Sequence, residues 1–287
     1  MQKITLNIPQ DDKYKGQNGK LLIVGGSDLF HGASLWSAQI AAHIVDMVFY
    51  AGTKKNNLIA KNVFHDGIVI ERNVMNNYLD EAEVVLLGPG MMRGERNKDK
   101  LNNLLCQKKL LSNEDWQNDT YLIVNYLLAN YPTKKFVLDA GALQMLEIEY
   151  LQSQHLLTPH QGELKLLRNL LIDNDLKNKF ESATVVSKNI IDQVWQKGEL
   201  KNEIRGGNAG LTKGGSGDAL AGLIAALYCF NEAEVAASVA SMTVKKSAEL
   251  LYQDFGPFFT TSQLVQQLPK TLWLLIKQEK IELAKHV

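Results

Sequence analysis

The stretch Gly206-Gly-Asn-Ala-Gly-Leu-Thr-Lys-Gly-Gly-Ser-Gly-Asp-Ala-Leu-Ala-Gly-Leu-Ile-Ala-Ala-Leu227 decides the fold, because a glycine-rich loop runs directly into an Ala/Leu-rich helix. Gly214, Gly215 and Gly217 can adopt backbone conformations that other residues avoid, so their N–H groups can converge on one anion. A helix that starts near Ser216 adds the positive end of its dipole and its unpaired N–H donors. The sequence therefore predicts a phosphate-binding loop.

Asp218 falls in the first turn of this predicted helix, beside the predicted phosphate. Repulsion makes a carboxylate a poor phosphate ligand there, but a suitable general base for a substrate hydroxyl. The alternative is that Asp218 is only a first-turn residue that the helix dipole favours, after a tight glycine loop. The loop lacks the GxxxxGK[ST] pattern, and Arg93 breaks the GxGxxG spacing that begins at Gly88, so P-loop NTPases and Rossmann dehydrogenases are disfavoured.

Outward from this loop, short apolar runs alternate with helical patterns. Strands are predicted at 20–24, 47–51, 84–87, 136–138, 156–157, 185–186 and 190–191, and helices at 34–45, 218–228, 232–252 and 262–276. Segment 91–131 is predicted to be a polar surface excursion with one or two helices. Strands that are apolar throughout are typical of a parallel sheet covered by helices. The predicted fold class is therefore α/β, a mainly parallel sheet with helices on both faces and the ligand beyond the carboxyl ends of the strands.

Composition narrows the class of protein further. The 31 Lys and Arg balance 31 Asp and Glu over 287 residues, which disfavours nucleic-acid binding through bulk charge. The longest strongly apolar stretch, 219–230, is shorter than the roughly 18 residues that cross a bilayer, and the first residues lack the apolar core of a secretory signal. Two cysteines are too few for a disulfide framework, so a cytoplasmic protein with one domain over 1–287 is expected.

At this point the chain resembles a known family. Gly214-Gly-Ser-Gly-Asp218, preceded by Gly207-Asn208-Ala-Gly210, is similar to the nucleotide-binding signature of ribokinase-like proteins, and more narrowly of ADP-dependent NAD(P)H-hydrate dehydratases. Other segments agree in chain order, namely Lys15-Gly-x-x-Gly19-Lys-Leu-Leu-Ile-Val-Gly-Gly-Ser27 with Gly32-Ala33, Leu87-Gly-Pro-Gly-Met91, Val137-Leu-Asp-Ala-Gly-Ala-Leu143, and Leu157-Thr-Pro-His-Gln-Gly-Glu163. The resemblance covers roughly residues 13 to 255.

The resemblance implies repair of hydrated nicotinamide cofactors. ADP, or ATP in some members, drives loss of water from the S epimer of NADHX or NADPHX, because hydroxide leaves poorly until it is phosphorylated. Such chemistry requires a base at the ring hydroxyl, an anion cradle and Mg²⁺ to neutralise charge. The resemblance also implies a homotetramer and a separate epimerase partner, because 287 residues leave no room for the epimerase domain that many relatives carry. No nucleic acid or membrane partner is expected.

Family roles transfer residue by residue. Positions matching contacts to the hydrated nicotinamide are Ala33, Gly90, His160 and Asp218, with Asp218 as the catalytic base. Positions matching nucleotide contacts are Lys188, Asn189, Ile190, Ile191, Asp192, Asn208, Gly214, Gly215, Ser216 and Gly217. No metal ligand is assigned. The chain departs from the family in having Ser187-Lys188-Asn189 in place of Leu-Lys-Gly, and Asn tolerates left-handed backbone angles better than most residues.

Several residues keep two interpretations. His160 is either a substrate contact or a loop histidine that bonds to backbone, and Glu163 is interpreted as a first-turn carboxylate. Asp139 either binds water associated with Mg²⁺ or caps the next helix, and Lys213 either pairs with phosphate or is solvated. For the whole protein the alternatives are a small-alcohol kinase of the same superfamily, of the hydroxyethylthiazole or hydroxymethylpyrimidine type, and a nucleotide-binding protein without catalysis.

Overall fold

The computed structural model describes residues 4–107, 118–278 and 280–284. The strands are β1 (Ile4–Leu6), β2 (Lys20–Val24), β3 (Met47–Gly52), β4 (Ile68–Glu71), β5 (Val84–Leu87), β6 (Lys135–Leu138), β7 (Leu156–Leu157), β8 (Thr184–Ser187), β9 (Asp192–Gln196), β10 (Glu199–Ile204) and β11 (Ile281–Leu283). The helices are α1 (Gly32–Ala41), α2 (Lys54–Val63), α3 (Asn76–Leu79), α4 (Lys98–Gln107), α5 (Thr120–Asn130), α6 (Ala140–Met145), α7 (Gln161–Asn169), α8 (Asn174–Ser182), α9 (Ser216–Tyr228), α10 (Ala233–Phe255) and α11 (Thr261–Lys277).

Within the described residues, nine strands form one sheet in the order β10-β9-β8-β7-β6-β5-β2-β3-β4. The strands from β8 to β4 in this order are parallel to their neighbours, whereas β9 runs antiparallel to both β8 and β10. β1 and β11 pair with each other in a separate parallel sheet. The mainly parallel sheet predicted from the apolar runs is confirmed.

The central strand β2 explains why helices cover both faces. Leu21 and Ile23 are buried in one core with apolar side chains of α1, α9, α10 and α11, whereas Leu22 and Val24 are buried in a second core with side chains of α5, α6 and α7. Because successive strand side chains point to opposite faces, an uninterrupted apolar strand needs an apolar layer on each side. None of the described helices is both long and apolar enough to span a membrane.

Two predictions about local structure are wrong. Residues 190–191 are not a strand but part of the turn between β8 and β9, where Asp192 accepts a hydrogen bond from the Asn189 N–H over 2.9 Å and Ile190 is 85% exposed. Segment 91–131 does contain helices, but α5 is not a surface helix, because its residues from Tyr121 to Leu128 are buried in the second core. Part of that segment, 108–117, lies outside the described residues.

Candidate active site

The loops that follow the parallel strands meet at one edge of the sheet and are hydrogen-bonded to one another. Each loop donates a backbone N–H to the neighbouring strand end or loop: Gly26 to Pro89 O (2.7 Å), Asp139 to Leu87 O (3.0 Å), Thr158 to Leu138 O (3.1 Å) and Lys188 to Pro159 O (2.9 Å). Carboxyl ends of parallel strands share an edge, so segments far apart in sequence form one continuous wall.

Two of the residues predicted to contact substrate, Ala33 and Gly90, lie together on this wall. Gly90 has a φ of +71°, which favours glycine. A Cβ atom at Gly90 would lie 2.6 Å from the Phe30 carbonyl oxygen and 3.1 Å from Ala33 Cβ. A side chain at position 90 would therefore strain the turn and push α1 away from it.

The glycine loop is built around Gly215. Of the three glycines predicted to shape it, Gly215 has a left-handed φ, +97°, and its N-cap position places it directly before α9, which starts at Ser216 as predicted. A Cβ atom at Gly215 would lie 2.2 Å from the Trp36 indole, whereas one at Gly214 would have no atom within 4 Å. Ser216 Oγ donates to Lys213 O over 3.1 Å, which closes the loop onto the helix start.

Asp218 lies in the first turn of α9, and α1 holds its backbone, because Ser37 Oγ donates to the Asp218 carbonyl over 2.8 Å. Burial raises the pKa of the Asp218 carboxyl, the negative charge of Asp139 raises it further, and Lys188 opposes both. The result is a pKa of about 7, so this carboxyl can exchange a proton near neutral pH.

Lys188, directly after β8, links the end of that strand to the end of β6. Its Nζ donates to Asp139 Oδ1 over 2.7 Å, and the same oxygen accepts the Thr158 hydroxyl, also over 2.7 Å. Burial opposes the charged form of Lys188, but Asp139, Glu163 and Asp218 outweigh it and raise its pKa. The Nζ atom lies 3.2 Å from the place a Cβ would take on Gly217, so a cation stands beside the start of α9.

Of the two interpretations of Asp139, helix capping is wrong. Its backbone occupies the N-cap position of α6, but its side chain makes no capping hydrogen bond there. The carboxylate is 2% exposed and pairs with Lys188 instead. Asp139 therefore fixes the position of a cation.

His160 and Glu163 form a capping box at the start of α7. His160 Nδ1 accepts the N–H groups of Gly162 (3.0 Å) and Glu163 (3.3 Å), while Glu163 Oε2 accepts the His160 N–H (3.0 Å). The interpretation of Glu163 as a first-turn carboxylate is confirmed. The backbone bonding foreseen for His160 is present, and the imidazole also lines the cavity described next.

A cavity of about 750 Å³ opens beside the glycine loop, and Lys188 is one of the residues that line it. Of the residues predicted to bind nucleotide, those that line it are Lys188, Asn189, Ile190, Asp192, Asn208, Ser216 and Gly217. Ile191, Gly214 and Gly215 do not line it, nor do Ala33, Gly90 and Asp218. The cavity is large enough for a nucleotide and reaches the start of α9, because Ser216 and Gly217 line it. Ala33 and Gly90 lie together outside this lining.

Two of the residues that line the cavity form hydrogen bonds within the protein through their side chains. Asn208 Oδ1 accepts the Gly210 N–H over 2.9 Å, and its amide donates to Ala248 O over 2.7 Å. Lys213 Nζ donates to the carbonyl oxygens of Pro257 (2.8 Å) and Phe259. The half-buried Lys213 side chain therefore fastens the glycine loop to the segment that follows α10.

Sequence reasoning missed Lys245 on α10, which lines the cavity and is buried. The available signal was its position on the buried stripe of the helix, next to Val244 and four residues after Ser241. Charged residues are rarely buried without a partner, so a lysine on that stripe indicates a specific contact.

Among residues 4–107, 118–278 and 280–284, no group of three or more His, Cys, Asp or Glu side chains is placed to hold a metal ion. Mg²⁺ commonly needs only one or two carboxylates, because substrate phosphates and water complete its shell. Asp139 is close enough to Asp218 to raise the pKa of that carboxyl, and it pairs with Lys188, which lines the cavity. These residues fit a magnesium ion carried by nucleotide phosphates.

A mainly parallel sheet between two helical layers, with a glycine loop and an aspartate opening a buried helix at its carboxyl edge, defines a protein of the ribokinase-like fold class. The family model for NAD(P)H-hydrate dehydratase matches residues 21–270. The chain belongs to this family, as the sequence predicted.

Named relatives agree with this assignment. The chain is 31% identical over 275 residues to the bifunctional NAD(P)H-hydrate repair enzyme of Methanocaldococcus jannaschii, covering 91% of this chain and 49% of that protein. It is 27% identical over 294 residues to the ADP-dependent (S)-NAD(P)H-hydrate dehydratase of Streptococcus pneumoniae, covering 96% and 93%. The chain thus spans about half the length of the bifunctional relative and nearly all of the other.

Among solved structures, the chain is similar to the ADP/ATP-dependent NAD(P)H-hydrate dehydratase of Bacillus subtilis co-crystallised with ATP and Mg²⁺. The TM-score is 0.69 at 20% identity, and the alignment covers 96% of this chain and 95% of that one. At this identity the comparison establishes the shared fold.

Proposed function

We propose that the protein returns the S epimer of NAD(P)H hydrate to NAD(P)H with ADP or ATP as co-substrate. The observation that carries the proposal is Asp218, whose carboxyl has a pKa of about 7 and lies in the first turn of α9 beside the Lys188 ammonium. A base that is poised at neutral pH next to a cation suits transfer of a phosphoryl group to a substrate hydroxyl.

In the proposed reaction Asp218 takes the proton of the ring hydroxyl as that oxygen forms a bond to the terminal phosphorus of the nucleotide. The bond from this phosphorus to the bridging oxygen breaks, which leaves AMP from ADP or ADP from ATP. Lys188 and the N–H groups at the start of α9 bind the phosphoryl oxygens. The ring nitrogen then donates its electron pair as the C–O bond to phosphate breaks, which leaves an iminium ion and free phosphate. The carbon next to the former C–O carbon loses a proton to the released phosphate, and its C–H electron pair forms the ring double bond that restores the dihydronicotinamide.

In this proposal the two substrates bind in two different regions of the site. The nucleotide occupies the cavity between residues 189–192 and 206–217, and the hydrated nicotinamide lies against Ala33 and Gly90. Mg²⁺ bound through the nucleotide phosphates, near Asp139 and Asp218, would neutralise phosphate charge. The roles of these residues follow the family resemblance and are part of the proposal.

The chemistry of the proposed reaction indicates a partner enzyme. A reaction confined to the S epimer calls for an epimerase that converts the R form. The similarity to a bifunctional repair enzyme supports coupling of this domain to a second activity.

Both cysteines, exposed Cys106 and buried Cys229, are free thiols, which favours the cytoplasm, where nicotinamide cofactors are used.

The test is the change Asp218→Asn, assayed with (S)-NADHX and either ADP or ATP by the return of NADH absorbance. Removing the base should lower turnover by roughly 10²-fold or more while nucleotide binding, measured by calorimetry, is retained. Near-wild-type turnover of a folded variant would contradict the base role. A wild-type protein that forms no NADH but phosphorylates a thiazole or pyrimidine alcohol would be a small-alcohol kinase instead.

A further inference from the structure

Lys245 makes an unusual set of contacts for a buried lysine. Its Nζ donates to two consecutive carbonyl oxygens, those of Asn189 (3.1 Å) and Ile190 (3.0 Å), and lies 3.3 Å from Asp192 Oδ1. The lysine side chain is 5% exposed and that of Asp192 is 8% exposed. An ammonium has three N–H donors, so these contacts use its full capacity.

The turn that Lys245 holds is a wall of the nucleotide cavity. Asn189, Ile190 and Asp192 line the cavity, and this is the segment where the chain has Asn189 in place of the family's glycine. Hydrogen bonds within the turn run from Asn189 N to Asp192 and from Ile190 N to Asn189 Oδ1. The carbonyl oxygens of Asn189 and Ile190 accept from Lys245 instead, so both face α10.

The same face of α10 holds the opposite wall. Glu249, one turn after Lys245, accepts the Gly207 N–H over 3.4 Å, and Ala248 O accepts the amide of Asn208. Residues 245, 248 and 249 share one face of a helix. One rigid helix thus fixes the distance between the 189–192 turn and the 206–208 loop.

We propose that Lys245 is a positioning residue for the nucleotide, which it serves by clamping the 189–192 turn at the spacing that the adenine nucleotide requires. The ammonium does not bind the nucleotide itself, because its donors are already matched within the protein. The inference rests on the proposed function in naming the ligand as an adenine nucleotide. It predicts that Lys245 governs nucleotide affinity and leaves the chemistry at Asp218 untouched.

The experiment is the change Lys245→Met, which keeps the length of the side chain and removes its charge and donors. Titration calorimetry with ADP and with ATP should show a Kd raised by about 10- to 100-fold, because small displacements of a binding wall cost that much. At saturating nucleotide, kcat, the KM for (S)-NADHX and the midpoint of the pH profile should remain those of the wild type. Lys270→Met, at an exposed lysine on α11, is the matched control and should change none of them.

Unchanged nucleotide affinity in a folded Lys245→Met protein overturns the proposal, and so does a fall in kcat with an unchanged KM for nucleotide. If that variant does not fold, Lys245→Gln, which keeps an amide donor but loses the charge, decides in the same way. The nucleotide titration requires no NADHX. A failure of the proposal for Lys245 can therefore be distinguished from a failure of the proposed dehydratase function. A wild-type protein that binds ADP but produces no NADH refutes the dehydratase and leaves the clamp testable by the same titration.

Discussion

Replacing Asp139 by Asn should shift the pH dependence of catalysis toward acid. In the wild type, burial and the neighbouring Asp139 charge together raise the pKa of Asp218. The substitution removes that charge and also releases Lys188, whose ammonium is otherwise held 2.7 Å from Asp139. Both effects favour the ionised form of Asp218, so its pKa should fall.

The size of the effect follows from the titration of one base. With a pKa of about 7, Asp218 is ionised in about a tenth of molecules at pH 6 and in about nine tenths at pH 8, so kcat/KM should rise about tenfold across this interval. If the pKa falls by about one unit, about half of the molecules are ionised at pH 6 and the rise shrinks to about twofold. The shape of the profile, rather than the absolute rate, carries this information.

The assay is kcat/KM for (S)-NADHX at saturating nucleotide, measured between pH 5.5 and 8.5 (about one and a half units either side of the expected midpoint). Asp66→Asn, the same substitution at an exposed aspartate beside the edge strand β4, is the matched control and should keep the wild-type midpoint. A midpoint that stays in place in Asp139→Asn, or moves toward alkaline pH, would refute the electrostatic coupling between the two carboxyls.

Two further changes test the fold around the site. Gly215→Ala should destabilise the protein by about 1–3 kcal/mol in urea unfolding, because the φ is left-handed and the new methyl meets Trp36, whereas Gly214→Ala should change stability far less; equal effects would contradict this. His155 is fully buried and its Nε2 has no hydrogen-bond partner. Burial and the positive charge of Lys179 lower its pKa to about 4. As the pH falls below about 6.5, the unfolded state therefore binds the proton before the folded state does. Stability should therefore drop by about 2 kcal/mol between pH 7 and 5, a slope that His155→Asn should flatten if urea unfolding is compared at both pH values.

The sequence predicted those parts of the fold in which burial on two sides leaves an uninterrupted apolar run. β2 and β5 lie where Leu21 to Val24 and Val84 to Leu87 indicate, because a strand with helices on both faces needs apolar side chains throughout. β10, with the sequence Glu-Leu-Lys-Asn-Glu-Ile, was missed because it is an edge strand with largely exposed side chains. The strand predicted at Ile190-Ile191 is wrong for the opposite reason, because this pair is apolar but lies in a turn where Ile190 is exposed.

For the site, local motifs were enough to predict the loops but not the hydrogen bonds that connect them. The glycine loop and the TPHxGE segment each have a local signature, and the fold brings both to one edge. The bond from Lys188 to Asp139 joins residues 49 positions apart, and that from Lys245 to Ile190 joins residues 55 apart. A single sequence carries no periodic or motif signal for such pairs, which follow from the order of strands and helices.

The hydrogen bonds of His160 determine which of its two ring nitrogens carries the hydrogen. Two backbone N–H groups point at Nδ1, so that atom must keep its lone pair, and in the neutral ring the hydrogen is on Nε2. The tautomer is thereby set by the first turn of α7 before any ligand arrives. His160 lines the cavity, and its Nε2 lies 3.6 Å from Glu163 Oε2. In this tautomer the ring has no free acceptor nitrogen, so an amino or hydroxyl hydrogen of a ligand would find no partner on it.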